Sequence, residues 1–167
     1  SQTLRQTINN ILTGYSSDRP NLTMAAPNKD AERASCYNQN RELQNYQKAL
    51  PYIIGPESPF DRLLYIASTG AGKTFAMFAI IEAYYVHSKK NNRELPKFRY
   101  IAPNHQLVNQ FETQLLTFPG QISTILMREL EQAKAQNTSD TERTILRRLM
   151  KSHFNIQMGE RYSDFGR

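Results

Sequence analysis

The chain of 167 residues has one cysteine, Cys36, so no intrachain disulfide can staple it, and this fits a reducing interior. No apolar run reaches the roughly 20 residues that span a bilayer. The longest apolar segment, from Phe75 to Val86, gives way to His87, Lys89 and Lys90. No secretory leader is evident, so the triplets Asn21-Leu22-Thr23 and Asn137-Thr138-Ser139 are read as chance matches to a glycosylation site. Repeats and low-complexity tracts are missing as well. Acidic residues are outnumbered, 15 against 21 basic, for a net charge of +6. That excess permits a polyanionic partner, but it is spread along the chain rather than gathered in a patch. What remains is an intracellular, membrane-free chain long enough for one domain with a substantial core.

One stretch organises it: Ala67-Ser68-Thr69-Gly70-Ala71-Gly72-Lys73-Thr74. Before it lie Leu63, Leu64, Tyr65 and Ile66, a strand-like run through Ala67; after it comes the long apolar segment, a helix over about 72–88. Strand, glycine-containing turn and helix make the layout of a phosphate-binding loop. Gly70 and Gly72 can take backbone angles closed to other residues and leave room for a phosphate chain. The N–H groups of Ser68, Thr69, Gly70, Ala71 and Gly72 can then form an anion-binding concavity, helped by the positive end of the helix. Lys73 supplies a point charge for the outer phosphates, and the Thr74 hydroxyl is a hard oxygen ligand suited to Mg2+. A nucleoside triphosphate with Mg2+ is the expected ligand.

Around this loop the spacing predicts further elements. Residues 2–13 carry Leu4, Ile8, Ile11 and Leu12 on one side of a short helix that needs a surface to pack on, expected on its own domain. Residues 15–40 read as loop. Leu43, Tyr46 and Leu50 predict a helix ending near Pro51, and Ser88 to Lys97 a charged connection. Phe98 to Ala102 is a second strand, followed by a helix capped by Asn104 with Leu107, Val108, Phe111 and Leu115 inward. Gln121 to Gln136 fits either helix throughout or a short strand at 122–126 and then helix. Ser139-Asp140-Thr141-Glu142 has the capping-box pattern and starts a helix. That helix sets Ile145, Leu146, Leu149 and Met150 on one side and Arg143, Arg147, Arg148 and Lys151 on the other. The basic side is a solvated face or a nucleic-acid contact. Residues 153–167 predict no element. The sum is an α/β fold: a parallel sheet with flanking helices over 41–167, preceded by an extension of short helix plus linker over 1–40.

With Ala67 in first place, the loop resembles motif I of superfamily 2 helicases and translocases. Leu43-Gln44-Asn45-Tyr46-Gln47 is similar to the signature that introduces many members, and Ile101-Ala102-Pro103-Asn104-His105-Gln106-Leu107-Val108-Asn109-Gln110 is similar to motif Ia. The apolar strand ending in Tyr65 also resembles large-DNA-virus helicases and transcription ATPases, for which a virion would join cytoplasm and nucleus as a location. The resemblance covers about residues 41–116. It implies a partial RecA-like P-loop ATPase lobe of Walker A type, coupling ATP hydrolysis to movement on DNA or RNA. It implies that Gln47 recognises adenine, that Lys73 and Thr74 serve hydrolysis, and that Pro103, Asn104, His105 and Gln106 contact a nucleic-acid strand. At Asn104-His105-Gln106 the chain departs from the family, where Thr and a basic or acidic pair are commoner. His105 is equally read as an exposed first-turn residue, and Tyr46 as a core residue or a neighbour of the base.

Hydrolysis also needs a strand-end acid for Mg2+, an acid to orient water and an arginine finger. In helicases the acids form an Asp-Glu motif on a later strand. No apolar run followed by Asp-Glu occurs after Gly120. The chain, whose Ser1 is not a natural start, therefore reads as the front of a motor domain. Its partners would be nucleic acid, the rest of that domain, a second RecA-like lobe and other proteins of a complex. The other readings are a different P-loop NTPase, such as a packaging motor or a nucleotide kinase, and a non-catalytic interaction module.

Overall fold

In the computed structural model the described residues are 42–67, 70, 72–136 and 139–165, together with Gln6 and Asn9. The helix expected at 2–13, the linker, Cys36 and both glycosylation triplets lie wholly or mainly outside them, as do Ser68, Thr69 and Ala71.

Helix α1 (Asn45–Ile54) runs through Pro51 instead of ending there, and stops at Gly55. Proline removes one intrahelical donor but leaves the later turn intact where packing holds it. Helix α2 (Lys73–Lys90) is buried along Ala76, Phe78, Ala79 and Ile81. Most of its other side chains are half-buried, in keeping with its lack of a polar face. Strand β1 (Phe98–Ile101) follows, then helices α3 (His105–Leu116), α4 (Gln121–Ala135) and α5 (Glu142–Phe154), strand β2 (Ile156–Gly159) and a 3-10 turn at Tyr162–Phe165. Residues 121–135 are thus helix throughout, with no strand at 122–126. The α5 N-cap is Thr141, whose side chain accepts the Thr144 N–H, and not Ser139; Asp140 pairs with Arg148 instead.

β1 and β2 form a parallel pair with Phe98 opposite Ile156 and Ile101 opposite Gly159. No element was expected at β2. It is made possible by Asn155, in the left-handed conformation at the end of α5, whose carbonyl accepts the Phe98 N–H and whose side chain donates to the Leu95 carbonyl. The run at 63–67 is not a strand: no partner lies beside it among the described residues, and Leu64 and Ile66 are each 83 % exposed. An isolated segment has no ladder to hold its N–H and C=O groups, so apolar composition alone does not make it one.

The core lies where α2, α3, α4 and α5 meet the covered face of the sheet. Phe78, Phe111, Leu115, Ile122, Leu126, Met150 and Phe154 are buried there. Phe78 meets Phe111 edge-on at 4.8 Å, and Tyr100 of β1 stacks on Phe111 at 4.0 Å. Leu107, expected inward, is exposed. Val108, Phe111 and Leu115 are buried as expected, and with them Glu112, which takes Arg143 Nε at 2.9 Å and also Arg147 Nε, both from α5. The basic face of α5 is thus partly spent inside the fold. No helix among the described residues is long and apolar enough to cross a membrane.

Candidate phosphate loop and strand-end site

Gly70 and Gly72 both have positive φ, 82° and 73°. These angles cost an L side chain on the order of 1–2 kcal/mol, and glycine escapes that cost. At Gly70 the space is open, for an added Cβ would meet nothing within 4 Å. At Gly72 it is closed: a Cβ would stand 2.3 Å from Gln47 Nε2 and 3.2 Å from the Tyr46 hydroxyl.

Gly72 is the N-cap of α2, so Lys73 and Thr74 open the helix at its positive end. Lys73 Nζ donates to the Ala67 carbonyl at 2.7 Å, across the base of the loop. Its acceptor in this bond is a neutral carbonyl. Thr74 is half-buried on the first turn. Among the described residues no group of three or more His, Cys, Asp or Glu is placed to hold a metal ion. A divalent ion here would have to draw its ligands from the Thr74 hydroxyl, phosphate oxygens and water, the mixture Mg2+ favours. The open crest at Gly70, the helix end and Lys73 fit a phosphate group.

Gln47 is 3 % exposed. Its Nε2 donates to the Gly72 carbonyl at 2.9 Å, and its Oε1 accepts the Gln44 N–H at 2.8 Å. Both ends of the amide are engaged, one on the N-terminus of α1 and the other on the phosphate loop. The structure thereby brings Tyr46, Gln47, Gly72, Lys73 and Thr74 to one place.

The second set lies at the C-terminal end of β1. Pro103, Asn104, His105 and Gln106 are all exposed. The Asn104 side chain accepts the Leu107 N–H at 3.0 Å, which is the expected cap on α3. His105 Nδ1 lies 3.2 Å from Glu160 Oε1, which joins the ends of β1 and β2. The β2 end is itself a built turn. The Asp164 carboxylate accepts the N–H groups of Glu160 and Arg161, both at 2.8 Å, and these bonds hold its pKa below the ordinary aspartate value. Glu160, Arg161 and Asp164 went unread because no sequence signal marked the four-residue strand before them.

The sequence model of one protein family, described as type III restriction enzyme, res subunit, matches residues 29–162. Nothing matches significantly among curated proteins or among solved structures.

Proposed function

The chain belongs to the type III restriction enzyme res-subunit family, a superfamily 2 helicase-like group of P-loop ATPases, and from that premise we propose that it is the ATP-binding part of a nucleic-acid-dependent motor. The mixed fold with its small parallel sheet is consistent with a partial RecA-like domain. The observation that carries the reading is the pair of left-handed glycines leading directly into Lys73 at the start of α2.

In this reading the extension covers 1–40 and the lobe 41–167. ATP lies along the loop Ser68, Thr69, Gly70, Ala71 and Gly72. Its outer phosphates meet Lys73, which leaves the Ala67 carbonyl for them, and Mg2+ takes the Thr74 hydroxyl. Bound Mg2+ neutralises phosphate charge as it develops. Gln47 reads the adenine edge, an amide-to-adenine pairing for which its amide must give up the Gly72 carbonyl and the Gln44 N–H. The N-terminal end of α3, with Pro103, Asn104, His105 and Gln106, takes a DNA or RNA backbone. Exposed Leu63, Leu64 and Ile66 support a further expectation: strands from the rest of a motor domain cover them, bringing the Asp-Glu acids and a second lobe. Family membership speaks against a nucleotide kinase or packaging motor. The pairing of α5 arginines with Glu112 and Asp140 speaks against a module that uses that face for binding.

The test is titration of the chain with a fluorescent ATP analogue and Mg2+. Weak saturable binding, lost in Lys73→Ala without loss of fold, is expected, together with negligible turnover. Equal binding by the Lys73→Ala chain would refute the phosphate-loop assignment, and brisk hydrolysis by the chain alone would refute its dependence on further acids.

A further inference from the structure

A cleft of about 620 Å³ opens between α1 and α2, on a side of α2 that the phosphate loop does not use. Its apolar lining includes Ala79, Ala83, Leu43, Tyr52 and Val86. Tyr52 and Val86 are 45 % and 43 % exposed, high for apolar side chains lining a cleft. Charged groups stand in the same lining: Lys48, Glu57 and Lys90. The inner acid, Glu82, is already engaged by the Gln121 N–H. An apolar lining with charged groups in it suits an amphipathic helix rather than a polar ligand.

We propose that the N-terminal segment of this same chain, residues 2–13, docks its Leu4-Ile8-Ile11-Leu12 stripe in this cleft. Gln6 and Asn9 are helical and exposed, three residues apart and so on one face. Leu4, Ile8, Ile11 and Leu12 fall at i, i+4, i+7 and i+8, the anchor spacing of a helix lying in a groove. The chain arrives at the right place, because Leu43 itself lines the cleft. Some thirty residues separate the stripe from Leu43, a contour of up to roughly 100 Å and enough to turn back on α1 and α2. Attachment to the same chain makes docking of this segment intramolecular, which favours this occupant over a second copy.

Amide hydrogen exchange on the full chain tests the proposal. Amides of residues 4–12 are expected to exchange at least tenfold more slowly than in a peptide of residues 1–14, and to return to the peptide rate in Val86→Glu. Tyr52→Lys, elsewhere in the lining, should do the same, which guards against a variant that simply misfolds. In a Cys36→Ser background, cysteines introduced at Ile8 and Val86 should join within one chain on mild oxidation. Peptide-like exchange in the parent chain, protection indifferent to both cleft variants, or a bond formed only between chains at rising concentration would each overturn it.

Discussion

The amide of Gln47 holds the carbonyl of Gly72 at 2.9 Å, across 25 positions of sequence, and no side chain at position 72 could leave that bond in place. Gly72→Ala would set a Cβ 2.3 Å from Gln47 Nε2 at a φ of 73°. We expect a loss of about 1–3 kcal/mol from strain and the broken bond together, with nucleotide binding abolished. Chemical denaturation and the ATP-analogue titration read the two effects separately.

Gln47→Ala should cost about 1–2 kcal/mol, the net worth of its two hydrogen bonds, because the Gly72 carbonyl keeps the Ala76 N–H and the exposed Gln44 N–H can turn to water. Gln47→Glu keeps an acceptor for Gln44 but sets a buried carboxylate oxygen against the Gly72 carbonyl, and should fall below the alanine variant in urea midpoint at neutral pH.

Glu112 and its two arginines should respond asymmetrically. The arginine side chains are 49 % and 40 % exposed, whereas that of Glu112 is 3 % exposed. Removing both arginines strands a carboxylate in the core, and about 3–5 kcal/mol is expected for the Arg143→Ala, Arg147→Ala pair. Removing Glu112 lets both guanidinium groups turn to water, so Glu112→Ala should cost less. Thermal melts of the two variants side by side decide the order.

Glu82 reaches from α2 to the first N–H groups of α4, and burial, more than those bonds offset, raises its pKa. A raised folded-state value means the folded chain holds this proton more tightly than the unfolded one. The stability it brings is greatest below the ordinary glutamate range and falls as pH rises toward the shifted value. Glu82→Gln keeps an acceptor without charge and should match or exceed the parent at pH 7. Glu82→Ala removes the cap and should cost about 1 kcal/mol.

Asp164 has the opposite sign. Its folded pKa is lowered first by the Arg161 N–H and then by that of Glu160. Its contribution is therefore present above the ordinary aspartate value and is lost as pH falls through the lowered one. Asp164→Ala should speed exchange of the Glu160 and Arg161 amides at neutral pH and free the Glu160 side chain from its place beside His105.

The sequence was most legible where a residue acts through its own backbone or its immediate neighbours. Gly70, Gly72 and the Asn104 cap were read directly, because positive φ and a first-turn acceptor are local demands. Helices α1, α3 and α5 followed from periodicity and α2 from its unbroken apolar length, whereas α4 was one of two readings. Leu63 to Ala67 was misread because a strand is a property of two segments, and composition reports on only one. Residues 156–159 were missed for the mirror-image reason: four residues become a strand only because Phe98 to Ile101 lies alongside. Glu112 shows the same limit, since nothing near it announces the arginines 31 and 35 positions away that let it be buried.

That pairing of β1 with β2 also sets an order of events during synthesis. Phe98 leaves the ribosome long before Ile156, and three helices must be made in between. At roughly 5–20 residues per second the first strand waits seconds for its neighbour. Phe98 and Tyr100 can pack on Tyr84 and Phe111 before then, but the ladder groups of residues 98–101 stay open until 156–159 emerge, so pausing downstream of α4 would lengthen the life of that bare strand edge.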